Sequence, residues 1–91
     1  MGKSDIAQAI AEQAKLSKND ANNALEEIME QIGLALSRGE DISLIGFGTF
    51  QRKERAERAG RNPKTGEAIT IAAHKAVHFK PGKALKDAVN S

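Results

Sequence analysis

Residues 51–71 read QRKERAERAGRNPKTGEAITI, and this segment is the most informative about the fold. Apart from Pro63, it contains no apolar residue larger than alanine between Arg52 and Lys64, so this segment cannot pack into a hydrophobic core. Turn-forming residues cluster at positions 60–66, and residues 67–72 alternate like a returning strand. The pattern predicts a long two-stranded arm that projects from the body and stays mobile until it binds a ligand.

The region before the arm predicts a helical base over residues 1–39. Ser4 is the expected N-cap of a first helix, and Ser17 is the expected N-cap of a second. The second helix has a broad apolar stripe over residues 21–36, with glutamates on its outer face, and Gly39 is a natural stop. These apolar faces are wider than one short chain covers, which indicates a partner helix pair from a second subunit.

Residues 40–80 predict a β-sheet that carries the arm at about positions 53–75. The glycines of residues 46–48 predict two short strands joined by a tight turn. The Pro-Gly pair that opens residues 81–91 breaks the last strand, and the apolar spacing that follows predicts a C-terminal helix. The expected fold is a single α+β domain over residues 1–91, with a helical base, a β-saddle and a protruding hairpin arm.

The composition leaves little material for a core. Hydrophobic residues make up 40% of the chain, but fifteen of them are alanine, and three phenylalanines are the only aromatic residues. Chains of this size usually need a disulfide, a metal or a second subunit to be stable. Because cysteine is absent, disulfides and thiolate zinc sites are excluded. Oligomerisation is the expected source of stability.

The charge is distributed unevenly along the chain. Residues 1–51 carry a net charge of −4 and residues 52–91 a net charge of +6, although the whole chain has a net charge of only +2. A basic half joined to an acidic half indicates a polyanionic partner for the basic half.

The basic residues of the arm favour contact with nucleic acid. A two-stranded ribbon fits a DNA groove, and guanidinium groups suit a narrow, strongly negative minor groove. The alternative is a solvated hairpin kept soluble by its charges, and Glu54 and Glu57 are consistent with it. We favour nucleic acid because an unpacked arm without a ligand has no evident purpose. The basic residues are Arg52, Lys53, Arg55, Arg58, Arg61 and Lys64 on the first leg and tip, and Lys75 and Lys80 on the second.

Strand geometry predicts which of these side chains act together. Lys53 and Arg55 share a face because alternate residues of a strand do, and a bulge after them would bring Arg58 and Arg61 to the same side. Pro63 at the arm tip has two interpretations from the residues alone. It is either an ordinary turn residue or an apolar wedge between base pairs.

Other classes of function find little support. His74 and His78 lie four residues apart in a strand-like segment, which separates their Cα atoms by about 13 Å. Because this distance is long for two ligands of one ion and no third ligand is nearby, no metal site is predicted. No serine lies in a nucleophile-elbow setting and no carboxylate pair is placed against a likely pocket. Gly46-Phe47-Gly48 lacks a phosphate-loop continuation, so we expect no enzyme, cofactor or small-molecule substrate. No apolar run is long enough to cross a membrane and no leader precedes the first helix, so the expected location is the cytoplasm.

The chain resembles a known family. The run Gly46-Phe47-Gly48-Thr49-Phe50 and the later run Gly60-Arg61-Asn62-Pro63-Lys64-Thr65-Gly66 look like the signature of the HU/IHF family of bacterial histone-like proteins. The closing residues 79–86, FKPGKALK, resemble the final strand and helix of the same family. The resemblance covers essentially the whole chain and is closest to HU.

The resemblance implies an intertwined dimer whose two arms wrap duplex DNA, bend it and compact it in the nucleoid. It implies that Pro63 intercalates at a base step, with Arg61 and Asn62 in the minor groove beside it, and that Arg55 and Arg58 contact the sugar-phosphate backbone. It also implies that basic residues of the body meet flanking DNA. Those body residues are Lys3, Lys80, Lys83 and Lys86.

Three functions remain open from the sequence. The first is a largely sequence-independent architectural DNA-binding protein, which forms a homodimer or pairs with a paralogue. The second is a site-specific IHF-like subunit, because residues 78–83 (HFKPGK) are similar to one IHF chain. The third, from a different class, is a protein-interaction module whose basic hairpin binds an acidic partner.

Overall fold

The computed structural model describes residues 1–91 and contains three helices and five strands. The helices are α1 (Lys3–Ala14), α2 (Lys18–Ser37) and α3 (Lys83–Val89). The strands are β1 (Ile42–Leu44), β2 (Gly48–Arg55), β3 (Arg58–Arg61), β4 (Ala68–Ile71) and β5 (His74–Pro81). The predicted α+β class is confirmed.

The two long helices start and stop where local hydrogen bonds dictate. Ser17 caps α2 as predicted, since its Oγ accepts the Asp20 backbone N–H at 3.0 Å. The prediction of Ser4 as the first cap is wrong. The Asp5 carboxylate reaches back to the Gly2 backbone N–H at 2.8 Å, so α1 begins at Lys3 with Gly2 as its cap.

The strands form two separate antiparallel ladders. β1, β2 and β5 make a three-stranded sheet in the order β1-β2-β5, which we call the saddle, and β3 pairs with β4 in a two-stranded outer ribbon. The saddle ladder ends at the pair Arg55 and His74, and the outer ribbon resumes at Arg58 and Ile71. Between the two ladders, two residues on each leg of the arm have no partner on the opposite leg.

The arm makes the chain elongated. Its radius of gyration is 18.3 Å and its extents are 55 × 31 × 29 Å. A compact chain of this length has a radius of gyration of about 12 Å. The predicted projection of the arm is therefore a property of the fold.

The core of one chain is very small. Only six residues are buried, and the largest of them is Leu36. Larger apolar side chains lie on the surface, among them Ile28 with 51% of its surface exposed and Leu44 with 41%. An open apolar groove of about 450 Å³ lies between α2 and β1, and its walls include Ile28, Ile32, Ile42 and Leu44. A single chain thus leaves uncovered much of the apolar surface that would stabilise it.

The three phenylalanines join the saddle to the start of α3. The ring of Phe79 lies 4.8 Å from that of Phe50 and 5.4 Å from that of Phe47, measured between centroids. The Phe47 carbonyl accepts the Gly82 N–H at 2.8 Å. Gly48 lies beneath this cluster and is buried.

Gly48→Ala is expected to destabilise the protein by about 3 kcal/mol and to lower its Tm by roughly 10–20 °C. An added Cβ would lie 2.6 Å from Phe79 Cζ and 2.7 Å from the Lys80 carbonyl oxygen, and that backbone atom cannot move cheaply. Gly2→Ser is the control, because a Cβ there meets nothing closer than 3.9 Å. Thermal unfolding followed by circular dichroism measures both variants. Equal melting temperatures would show that the packing around Gly48 is looser than described.

Candidate nucleic-acid interface

One face of the saddle collects exposed cations. Residues directly opposite in an antiparallel ladder share a face, and alternate residues along each strand do too. The register pairs Thr49 with Lys80, Gln51 with His78 and Arg55 with His74, so their side chains lie together. We call this surface the basic face, and its titratable members are Lys53, Arg55, His74, His78 and Lys80.

The cations of this face lack acidic partners. The four salt bridges of the structure involve Lys3, Arg38, Arg52 and Lys83. No carboxylate oxygen lies within 4.0 Å of the charged nitrogens of Lys53, Arg55 or Lys80, and the same is true of Arg58, Arg61, Lys64, Lys75 and Lys86. A surface of unneutralised, exposed cations is electrostatically suited to a polyanion.

Arg52 has a structural role that the sequence prediction missed. Its guanidinium Nη1 donates to the Ser37 carbonyl at 3.0 Å and the Leu36 carbonyl at 3.3 Å, so it caps the C-terminal end of α2. Its side chain is only 21% exposed. The prediction that groups Arg52 with the basic residues of the arm is therefore wrong, because strand alternation turns its side chain towards the helices.

Lys75 lies on the same side as Arg52. It is paired with Glu54 in the ladder, and alternation separates it from the basic face. It lines an open groove beside α2 together with Arg52 and Val77. Contact between Lys75 and DNA stays a prediction, and the geometry places it apart from Lys53 and Arg55.

The outer ribbon presents Arg58 and Arg61 on opposite faces. The register pairs Arg58 with Ile71 and Arg61 with Ala68, and the two arginines are three residues apart on one strand. The sequence predicts a bulge that would turn Arg58 and Arg61 to the same side as Lys53 and Arg55. The structure has an unpaired interruption at residues 56–57 in its place, and the two arginines stay on opposite faces. A ribbon that enters a groove touches walls on both sides, so this arrangement gives each face of the ribbon one guanidinium.

The arm tip is held by hydrogen bonds that do not involve the Pro63 ring. The Asn62 side-chain oxygen accepts the Lys64 N–H at 2.9 Å, and the Asn62 carbonyl accepts the Gly66 N–H at 2.7 Å. Gly66 has a φ of 73°, which a glycine adopts without strain. Arg61 Nη1 donates to the Gly66 carbonyl at 3.3 Å. Pro63 itself is exposed at the apex, and Lys64 beside it is exposed too.

The cations of the body differ in their surroundings. Lys3 is paired with Glu26, and Lys83 Nζ lies 2.8 Å from the Asp87 carboxylate. Both pairs are exposed, so each contributes little to stability and opposes a phosphate contact only weakly. Lys80 and Lys86 lie at the end of the saddle and on α3.

Comparison with known proteins assigns the chain to a family. The model of the family described as bacterial DNA-binding protein matches residues 1–90. The chain belongs to this family. The resemblance to the HU/IHF family is thereby confirmed.

Members of the family with high similarity carry the name HU. The chain is 54% identical to DNA-binding protein HU-1 of Halalkalibacterium halodurans over 90 residues, which cover 99% of this chain and 100% of that protein. It is 53% identical to DNA-binding protein HU of Xylella fastidiosa, over 100% of this chain and 97% of that one.

Solved structures of the family superpose on the whole chain. The cocrystal structure of Anabaena HU with DNA matches with a TM-score of 0.91 and 39% identity, covering 98% of this chain and 97% of that one. HU from Thermotoga maritima matches with a TM-score of 0.68 and 30% identity, covering 98% of both chains. The fold described above is that of the family, including its arm.

Two members of the basic face had no place in the sequence prediction of DNA contacts. The sequence spacing of His74 and His78 argues against a metal site, and residue order alone gives neither of them a role in DNA contact. Their position beside Lys53 and Lys80 depends on the pairing register of β2 and β5. The available signal was the two-residue spacing of His78 and Lys80 along one strand.

Proposed function

We propose that this protein is an architectural double-stranded DNA-binding protein, which binds largely independently of sequence through the minor groove, bends the duplex and compacts it in the nucleoid. The observation that carries the proposal is the basic face, free of acidic partners and continuous with a protruding arm. Its close structural match, Anabaena HU, is a protein crystallised with DNA. Phosphate contacts supply affinity without sequence information, which suits a surface made of lysine and arginine.

The proposed contacts divide by position. The saddle and the inner arm hold sugar-phosphate backbone, the outer ribbon enters the minor groove, and the body meets flanking DNA. Pro63 is the proposed intercalating wedge, with Arg61 and Asn62 beside it. The full set is Lys3, Lys53, Arg55, Arg58, Arg61, Asn62, Pro63, Lys64, Lys75, Lys80, Lys83 and Lys86.

The functional form in this proposal is a dimer. The groove between α2 and β1 exposes Ile28 and Leu44, and a second copy of the chain would cover it with a matching apolar surface. Two arms on one dimer would clasp a duplex from both sides. A homodimer satisfies this geometry, and so does a pair with a close paralogue.

Two other functions are less well supported. The relatives described above are named HU, so the site-specific IHF-like function is not favoured. The protein-interaction module is not favoured either, because the family is one of DNA-binding proteins. The family also gives no support to an enzyme, and the proposal involves no cofactor or small-molecule substrate. No helix of the structure is long and apolar enough to span a membrane.

Fluorescence anisotropy with three unrelated duplexes of equal length, at one fixed salt concentration, tests the proposal. We expect dissociation constants that agree within about threefold, since site-specific proteins separate their targets by about a thousandfold or more. A strong preference for one duplex would favour the IHF-like function. Absence of binding to all three would favour the protein-interaction module.

A further inference from the structure

Two imidazoles lie among the cations of the basic face. His78 is opposite Gln51 in the ladder, and His74 is opposite Arg55 at the last pair before the arm is interrupted. Both side chains are exposed. Ladder alternation places them on the same side of the sheet as Lys53 and Lys80, where the proposed function puts phosphate groups.

The hydrogen bond of His74 determines whether the free nitrogen of its ring accepts or donates a hydrogen bond to a phosphate. Nδ1 of His74 lies 3.1 Å from the Ala72 carbonyl oxygen. A carbonyl only accepts hydrogen bonds, so Nδ1 carries the proton of the neutral ring, and Nε2 is left as an acceptor. An acceptor repels a phosphate oxygen, whereas a protonated Nε2 donates to it with a full positive charge. His74 therefore suits a phosphate only in its charged form.

The charged groups around the two rings indicate that a protonated imidazole needs a bound anion as its partner. Around His74 lie Arg55, Arg58 and Lys75, with Glu54 and Glu57 lining the adjoining hollows. The charged neighbours of His78 on its face are Lys53 and Lys80. Asp41 lies on the segment before β1, and its Oδ1 accepts a hydrogen bond from the Arg52 backbone N–H at 3.3 Å. Neither ring has a carboxylate within 4.0 Å. Bound phosphate is thus the missing counter-ion for a charged ring.

We propose that His74 and His78 are phosphate-binding residues that act when protonated, so that the affinity of this protein for DNA rises as the pH falls. This inference rests on the proposed function and adds a regulation to it. Imidazole ordinarily changes its charge between about pH 5 and pH 8. DNA binding takes up protons in this range, and by linkage a lower pH strengthens binding while a higher pH weakens it.

The test is the dissociation constant for one duplex, measured by anisotropy at constant salt from about pH 8 to about pH 5.5. We expect affinity to rise about tenfold across this range, because a dimer carries four such rings and each exposed ion pair contributes modestly. The slope of log K against log salt should also become steeper at the lower pH, by about 0.9 for each additional phosphate neutralised.

Two double variants make the test specific. His74→Gln with His78→Gln keeps polar side chains that do not titrate, so its affinity should stay nearly constant between about pH 8 and about pH 5.5. Any residual rise of this variant measures proton uptake by groups other than these two rings. His74→Lys with His78→Lys carries fixed charges, so its affinity at about pH 8 should match that of the parent at about pH 5.5.

The outcomes separate this inference from the proposed function. A flat pH profile for the parent, with tight and salt-dependent binding at every pH, overturns the inference and leaves the proposed function intact. An equal rise in the glutamine variant places the proton uptake elsewhere and also overturns it. Failure of the parent to bind DNA at any pH overturns both. Circular dichroism at the two pH extremes checks that each variant is folded.

Discussion

Ile28→Glu should leave the protein unfolded at micromolar concentration. Ile28 is 51% exposed in one chain, so in a monomer the substitution would cost little. In the proposed dimer the same side chain lies in the groove covered by the second subunit, and each copy buries an unpaired carboxylate at a cost of about 3–5 kcal/mol. Two such costs approach or exceed the total stability of about 5–15 kcal/mol that a small protein has.

The control for this substitution is Asn23→Glu, which adds the same charge to the exposed side of α2. Circular dichroism and sedimentation measure both variants, and the parent should melt at a temperature that rises with protein concentration. An Ile28→Glu protein that melts like the parent would show that this groove faces solvent in the functional molecule. The dimer proposal would then be wrong.

Pro63→Ala should separate bending of DNA from binding. The arm tip is closed by hydrogen bonds of Asn62 and Gly66, so alanine at position 63 leaves the turn able to form. What the variant loses is the exposed ring that would fill an opened base step, whose unstacking costs on the order of a few kcal/mol. The phosphate contacts are untouched, and they supply most of the affinity.

We therefore expect Pro63→Ala to bind a linear duplex with only modestly reduced affinity, while its induced bend shrinks and any preference for nicked or pre-kinked DNA weakens. Energy transfer between dyes at the two duplex ends measures the bend, and anisotropy on the same duplexes measures affinity. Arg61→Ala is the matched variant at the adjacent position, and it should lower affinity for every duplex. If Pro63→Ala bends DNA as fully as the parent, the proline is only a turn residue.

The arm and the helical base were predictable because their signals are local. A stretch without large apolar residues cannot be packed, and the stripe of α2 is visible in the spacing of its apolar residues. The cap at Ser17 follows from the same local chemistry. The missed cap at Gly2 shows the limit of this reasoning, because Asp5 competes with Ser4 to set the start of α1.

The faces of the saddle were less predictable because they depend on register. A one-residue shift in the pairing of β5 with β2 would move every side chain of β5 to the other face of the sheet. The observed register assigns Arg52 to the helix end and Lys75 to the same side, and it brings His74 and His78 to the basic face. Residue spacing on one strand gives alternation, but only the pairing identifies which residues of the other strand share a face.

The contribution of Arg55 to phosphate binding is testable through salt. Arg55→Gln removes one cation per subunit, or two per dimer, and should reduce the magnitude of the salt slope by up to about 1.8. Lys18→Gln removes a cation from α2, away from the basic face, and should leave the slope unchanged. If both variants keep the slope of the parent, Arg55 does not contact phosphate.

The salt dependence of DNA affinity for the parent protein tests whether the basic face binds phosphate. We expect log K to fall linearly with log salt between about 50 and 200 mM, with a slope several units negative, because each phosphate neutralised contributes about 0.9. The slope should be the same for duplexes of unrelated sequence, since phosphates carry no sequence information. A slope near zero would show that the cations of the basic face are solvated surface and do not bind phosphate.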